Sequence, residues 1–86
     1  MSTFHLSVIT PTGVVFEGQV QSLVAPGTKG ILGVLARHAP LLTSLNEGQL
    51  RIKQDQQERT FKIGQGILEV ADNKALLLSN TALEVK

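Results

Sequence analysis

The sequence predicts an all-β domain, a small sandwich or barrel of many short strands, and three observations carry that prediction. Apolar and polar residues alternate over short runs, the period of a half-buried strand. Turn signals rich in Gly, Pro, Asn and Asp cut the chain between those runs. No apolar stripe of helical spacing extends for a useful length. Short strands joined by such turns fold into a sandwich or a closed barrel.

The first run, Phe4 to Thr10, sets Phe4, Leu6 and Val8 on one face and His5, Ser7 and Ile9 on the other. Thr10-Pro11-Thr12-Gly13 turns the chain. Val14 to Val20 follows, with Val14, Phe16 and Val20 expected on one face and Gly18 marking a bulge on that face. Ser22 to Ala25 is a short third strand, stopped by Pro26-Gly27. Ile31 to Leu35 and Ala39 to Leu45 flank a tight connection at Ala36-Arg37-His38.

After the turn Asn46-Glu47-Gly48, Gln49 to Lys53 points Leu50 and Ile52 inward, and Arg59 to Ile63 returns with Phe61 and Ile63 inward. The two runs read as an antiparallel hairpin with one wet face and a polar tip at Asp55 to Glu58. Gly64-Gln65-Gly66 turns again, and Ile67 to Ala71 pairs with Ala75 to Ser79 in a hairpin closed by Asp72-Asn73-Lys74. No element is assigned to the tail from Asn80 to Lys86.

Composition narrows the function classes. The 86 residues suit one small domain, with no linker, low-complexity tract or internal repeat. A domain of this size buries about 60–65 % of the surface of its unfolded chain. There is no cysteine, so no disulfide supports the core, and no Cys cluster or paired-His motif offers a structural metal site. Lack of cysteine fits a reducing compartment. With three Phe and no Trp or Tyr the core must be mainly aliphatic. A net charge of +1, scattered along the chain, argues against nucleic acid, which asks for a clustered basic face. No apolar run approaches the roughly 20 residues of a membrane helix. The start, Met1-Ser2-Thr3-Phe4-His5, lacks a basic region followed by an apolar one, so the expectation is a cytoplasmic-type protein without a signal or transit peptide.

Several strands carry adjacent apolar residues: Val8-Ile9, Val14-Val15, Ile31-Leu32, Val34-Leu35, Leu41-Leu42, Ile67-Leu68 and Leu76-Leu77-Leu78. Neighbours on a strand point to opposite faces, so some of these lie outside the core. They are either ordinary scattered surface aliphatics or an apolar outer patch that a protein partner covers. Leu41-Leu42, beside a Gly-rich loop, is the best candidate for the second reading.

The catalytic inventory is thin. His5 and His38 are far apart, and no Gly-x-Ser-x-Gly or Walker-type phosphate loop is present. His38 has neither an orienting acid nor a nucleophile near it in sequence, so a structural or partner-contacting role is preferred. Lys74 supports a rival reading. Lipoyl and biotinyl carriers are small β-sandwiches with a modified lysine at a hairpin tip, but their lysine directly follows Asp or Met, whereas Asn73 intervenes here. A generic β-sandwich adaptor that binds a protein partner is the remaining alternative.

The stretch from Gly27 to Leu45 organises the chain. Gly27, Gly30 and Gly33 open it at a spacing of three, and His38-Ala39-Pro40-Leu41-Leu42 leads into a strand. Gly30-Ile31-Leu32-Gly33 through His38-Ala39-Pro40-Leu41-Leu42-Thr43 resembles the signature of the epsilon subunit of F-type ATP synthases. The likeness continues through Gly48-Gln49-Leu50-Arg51-Ile52, Gly66-Ile67-Leu68-Glu69-Val70 and Thr81-Ala82, and so spans nearly the whole chain in order.

The resemblance implies a flattened sandwich of about ten short, mainly antiparallel strands. It implies a non-catalytic rotor subunit without cofactor or metal, at the foot of the central stalk. The gamma subunit would lie on one side and the c-ring below, with alpha and beta reached only indirectly. The complex would sit on the cytoplasmic face of the inner (plasma) membrane, with no direct membrane insertion by this chain. The ring-facing loop would be Gly27, Thr28, Lys29, Gly30, Ile31, Leu32 and Gly33, and the gamma-facing segment His38, Ala39, Pro40, Leu41, Leu42 and Thr43.

Three features depart from the family's pattern. Many members carry an acidic residue at the position of Lys29 or Ile31, and a Pro-Gly or similar small turn where Ala36-Arg37 stands. Most continue into two helices that can inhibit hydrolysis. Since the sequence stops at Lys86, the expectation is coupling of stalk to ring without helix-mediated inhibition.

Overall fold

Strand β1, Phe4–Thr10, buries every second side chain, and Phe4, Leu6 and Val8 thereby fix the inner face of the strands that pair with it. The computed structural model describes residues 2–85; Met1 and Lys86, the ends of the expected domain of residues 1–86, lie outside the described residues. After β1 come β2 (Gly13–Val20), β3 (Ser22–Gly27), β4 (Gly30–Leu35), β5 (Leu41–Leu45), β6 (Gly48–Gln54), β7 (Gln57–Ile63), β8 (Gly66–Ala71), β9 (Lys74–Ser79) and β10 (Ala82–Val85). Over the described residues the chain adopts the expected all-β architecture, a nearly closed sandwich of ten strands.

One layer runs β4-β3-β6-β7-β10 and the other β5-β8-β9-β1-β2. They join where Gly27 at the end of β3 pairs with Leu45 of β5. Among the described residues every pairing is antiparallel except β1 with β9, which run parallel. The far edges approach each other through Phe16 of β2, packed edge-on against Phe61 of β7 at 6.1 Å, and through Gln54 Nε2, which donates to the Gln19 carbonyl at 3.0 Å. One aliphatic cluster with three phenylalanines fills the interior, including Leu6, Leu23, Leu50, Ile52, Leu68 and Leu77. The short axis of 22 Å suits two sheets about 10 Å apart with their outer side chains.

Four details differ from the sequence reading. The bulge lies at Val15, not Gly18. Val8 pairs with Phe16 and Ile9 with Val14, so Val15 is the extra residue, while Gly18 pairs regularly with Leu6. That insertion turns Val14 outward and brings Val15 against the core. β3 continues through Pro26, whose missing N–H is tolerated beside β4 while its carbonyl accepts from Asn46 N at 2.7 Å. β5 starts at Leu41 rather than Ala39. The unassigned tail forms β10, paired with β7.

Candidate functional site

The segment Gly27 to Gly33 is a hairpin with a two-residue tip, not an open loop. Gly27 pairs with Gly30, leaving Thr28 and Lys29 at the turn. A Cβ on Gly27 would stand 2.7 Å from the Gly30 carbonyl oxygen, and Gly30 adopts φ +126, so the turn needs glycine at both positions. Thr28 fastens the tip to β5: its N–H donates to the Ser44 carbonyl at 3.1 Å, and the two hydroxyls meet at 2.9 Å. Strand alternation sends Ile31 into solvent, at 82 % exposure, and Leu32 against the core. Lys29 and Ile31 are thus offered outward by a rigid hairpin.

The second segment begins at a corner. β4 ends at Leu35, Arg37 takes the left-handed conformation at φ 63, and His38 N–H closes the turn on the Leu35 carbonyl at 3.2 Å. Arg37 N–H donates to Asn73 Oδ1 at 2.7 Å. His38 Nδ1 bonds to the Ala39 carbonyl at 2.7 Å, which requires the proton on Nδ1. Ala39 and Pro40 are exposed, and β5 then alternates. Leu42 points outward at 71 % exposure, whereas Leu41 and Thr43 face the inner side. The inner side is open at this edge. A groove of about 250 Å³ brings Leu41 and Thr43 together with Gly27, Lys29, Gly30, Ile31 and Leu32, so the two predicted segments share one surface.

A larger apolar surface lies beyond both segments. On the outer side of the second layer Ile67 pairs with Leu78, Leu78 with Ile9, and Ile9 with Val14. Leu42 pairs with Glu69, one diagonal step from Ile67. Leu42, Ile67, Leu78, Ile9 and Val14 therefore form one band across five strands, and all but the half-buried Ile9 are well exposed. Beside it a groove of about 440 Å³ is lined by Ile9, Pro11, Ile67, Leu78 and Asn80 among others. The doubled aliphatics signalled an outer patch; its extent came from strand order, which alternation alone does not give.

The chemistry that would compete with docking has poor geometry. His5, Ser7 and Glu17 cluster on the outer face, but Ser7 Oγ and Glu17 Oε2 approach the same ring nitrogen, Nε2, at 3.3 and 3.2 Å. A nucleophile–base–acid relay needs them on opposite nitrogens. Lys74 is not at a free tip: it is the first residue of β9, paired with His5 and Ala71, and the turn is Asp72-Asn73. Among the described residues no group of three or more His, Cys, Asp or Glu is placed to hold a metal ion.

Residues 3–85 match the family described as ATP synthase, Delta/Epsilon chain, beta-sandwich domain. The chain is 51 % identical over 82 residues to an ATP synthase epsilon chain of Pelotomaculum thermopropionicum, covering 93 % of this chain and 60 % of that one. It is 44 % identical over 77 residues to that of Chlorobaculum tepidum, covering 88 % of each. The chain thus spans only part of the first relative and most of the second. Among solved structures it superposes with TM-score 0.91 on a chain of the Euglena gracilis mitochondrial ATP synthase (OSCP/F1/c-ring), at 18 % identity, covering 98 % of this chain and 54 % of that one. A chain of the Tetrahymena thermophila mitochondrial ATP synthase central stalk and c-ring gives TM-score 0.78 at 16 % identity, covering 92 % and 64 %. At such identities these two likenesses concern the fold alone.

Proposed function

The chain belongs to the family of ATP synthase delta/epsilon β-sandwich domains, and from that premise we propose that it is a non-catalytic central-stalk subunit of an F-type ATP synthase. It links the gamma subunit to the c-ring, so that rotation driven by ion flow reaches the nucleotide sites held by alpha and beta. The complex places it peripherally, on the cytoplasmic face of the inner (plasma) membrane.

The observation that carries this reading is the apolar band from Leu42 to Val14, which a partner protein would cover. The named relatives are epsilon chains of ATP synthases, and the Tetrahymena neighbour is drawn from a central stalk and c-ring. The gamma subunit takes the band together with the corner at His38, Ala39 and Pro40. The ring takes the tip at Thr28, Lys29 and Ile31.

Transmitting torque asks for stiffness rather than chemistry. Two hydrogen-bonded layers over one packed core supply it, since a close-packed interior passes strain on instead of absorbing it. A permanent interface of about 2,000 Å² removes roughly 1,000 Å² from each partner. Set against the domain's surface of 5332 Å², that is roughly one-fifth. Mixing the chain with purified gamma and measuring the mass of the product tests the reading. A stable one-to-one complex is expected; two separate species would reject it.

A further inference from the structure

We infer that Asn73 is the positioning residue of the docking corner, holding the left-handed Arg37 turn so that His38, Ala39 and Pro40 are presented in one geometry. The inference rests on the reading of that corner as part of the gamma-facing surface. Asn73 lies 36 residues from Arg37 in sequence and belongs to the β8–β9 turn, yet its side-chain Oδ1 accepts from Arg37 N–H at 2.7 Å. Its Nδ2 donates to the Thr3 carbonyl at 2.9 Å, and its own carbonyl accepts from His5 N–H at 3.3 Å. Three bonds therefore tie two separate stretches, the corner and the start of β1, to this one residue. The orientation of the amide follows from its partners: a backbone N–H can only donate and a carbonyl can only accept, so a flipped side chain would lose both bonds.

The corner needs such a clamp. A left-handed backbone is sparsely populated for arginine, and here φ is 63 at Arg37. The other hydrogen bonds of residues 36–40, His38 N–H to Leu35 and His38 Nδ1 to Ala39, are local to the corner and move with it. Among the described residues, the bond from Asn73 is the one that ties this segment to a distant part of the fold. Asn73 is itself left-handed, at φ 60, a conformation that asparagine tolerates.

Two substitutions separate the clamp from the turn. Asn73→Gly keeps a residue at ease at that φ and removes the amide. Asn73→Asp keeps the acceptor for Arg37 and loses the donor to Thr3. In Asn73→Gly, amide hydrogen exchange at Arg37 should quicken about tenfold, with His5, bonded to the backbone carbonyl, as the internal control. The affinity for purified gamma should fall about tenfold as the corner loses its fixed geometry. Asn73→Asp should restore both in part, because it keeps the acceptor for Arg37 but turns a second carboxylate oxygen toward the Thr3 carbonyl, which can only accept.

Unchanged exchange at Arg37 in Asn73→Gly would overturn the clamp. Faster exchange with undiminished gamma affinity would overturn its positioning role. If the wild-type chain does not bind gamma at all, the partner reading falls, while the exchange at Arg37 still decides the clamp.

Discussion

Arg59 and Glu84 form a two-pronged ion pair between β7 and β10: guanidinium Nε and Nη2 donate to the two carboxylate oxygens at 2.9 and 2.8 Å. The same guanidinium lies 5.0 Å from the ring centre of Phe16 and 5.6 Å from that of Phe61. The hydrogen bond to Glu84 holds the Arg59 ionisation above its ordinary range, against a smaller opposing effect of burial. A base with a raised folded pKa adds stability that is lost only as pH rises through that pKa. For arginine this lies above the range in which folding is studied, so Arg59 adds no pH dependence near neutrality. Salt is the better probe. Each side chain is 29 % exposed, so a double-mutant cycle with Arg59→Met and Glu84→Gln in urea should give a coupling of about 1 kcal/mol. The coupling should shrink in about 1 M salt.

Leu42→Asp separates docking from folding. Leu42 is solvent-facing in the free chain, so its stability should fall by no more than about 1 kcal/mol, the repulsion from Glu69 directly opposite included. A carboxylate forced unpaired into the gamma interface should weaken binding by about 3–5 kcal/mol, measured by calorimetry. Ile67→Asp should act in the same direction because it lies on the same band, whereas Leu83→Asp, on β10 of the other layer, should not.

The hairpin tip separates shape from charge. Gly27→Val drives a side chain into the Gly30 carbonyl and should cost about 1–3 kcal/mol in thermal unfolding. Lys29→Glu leaves the turn intact and should change stability by less than about 0.5 kcal/mol. Its effect should appear instead as an altered salt dependence of binding to the isolated ring.

The bulge in β2 gives neighbouring valines opposite roles. Val15→Ser should destabilise by about 1 kcal/mol, because Val15 packs on the core. Val14→Ser should be close to neutral in the free chain. Denaturant midpoints of the two variants decide between the observed register and the regular alternation, which would reverse the order.

Alternation was enough to find nine strands, because in each the side facing the core is apolar. It failed at β10, where the pattern is inverted. Leu83 and Val85 point outward and Glu84 lies on the half-buried side, where it meets Arg59. An inward carboxylate reads as a loop until its partner is known, and that partner is 25 residues away. The Val15 bulge was hidden for a related reason: Val14 and Val15 are equally apolar, so only the pairing with β1 shows which one turns inward.

The candidate surfaces divide in the same way. Gly27, Gly30, Leu41 and Thr43 stand in a continuous sequence word, and the fold gathers them at one groove, while Leu42 points to the opposite side. The band through Ile67, Leu78 and Val14 depends on β9 lying between β8 and β1, and the Asn73 clamp on a contact across 36 residues. Both are products of topology, which local patterns do not carry.

The most direct test of the central-stalk assignment is to tag this chain in its native membrane, isolate it in mild detergent and quantify what accompanies it. Gamma, the c-ring and the alpha and beta subunits are expected in the stoichiometry of an ATP synthase. Recovery of the chain alone, or with a different complex, would contradict it.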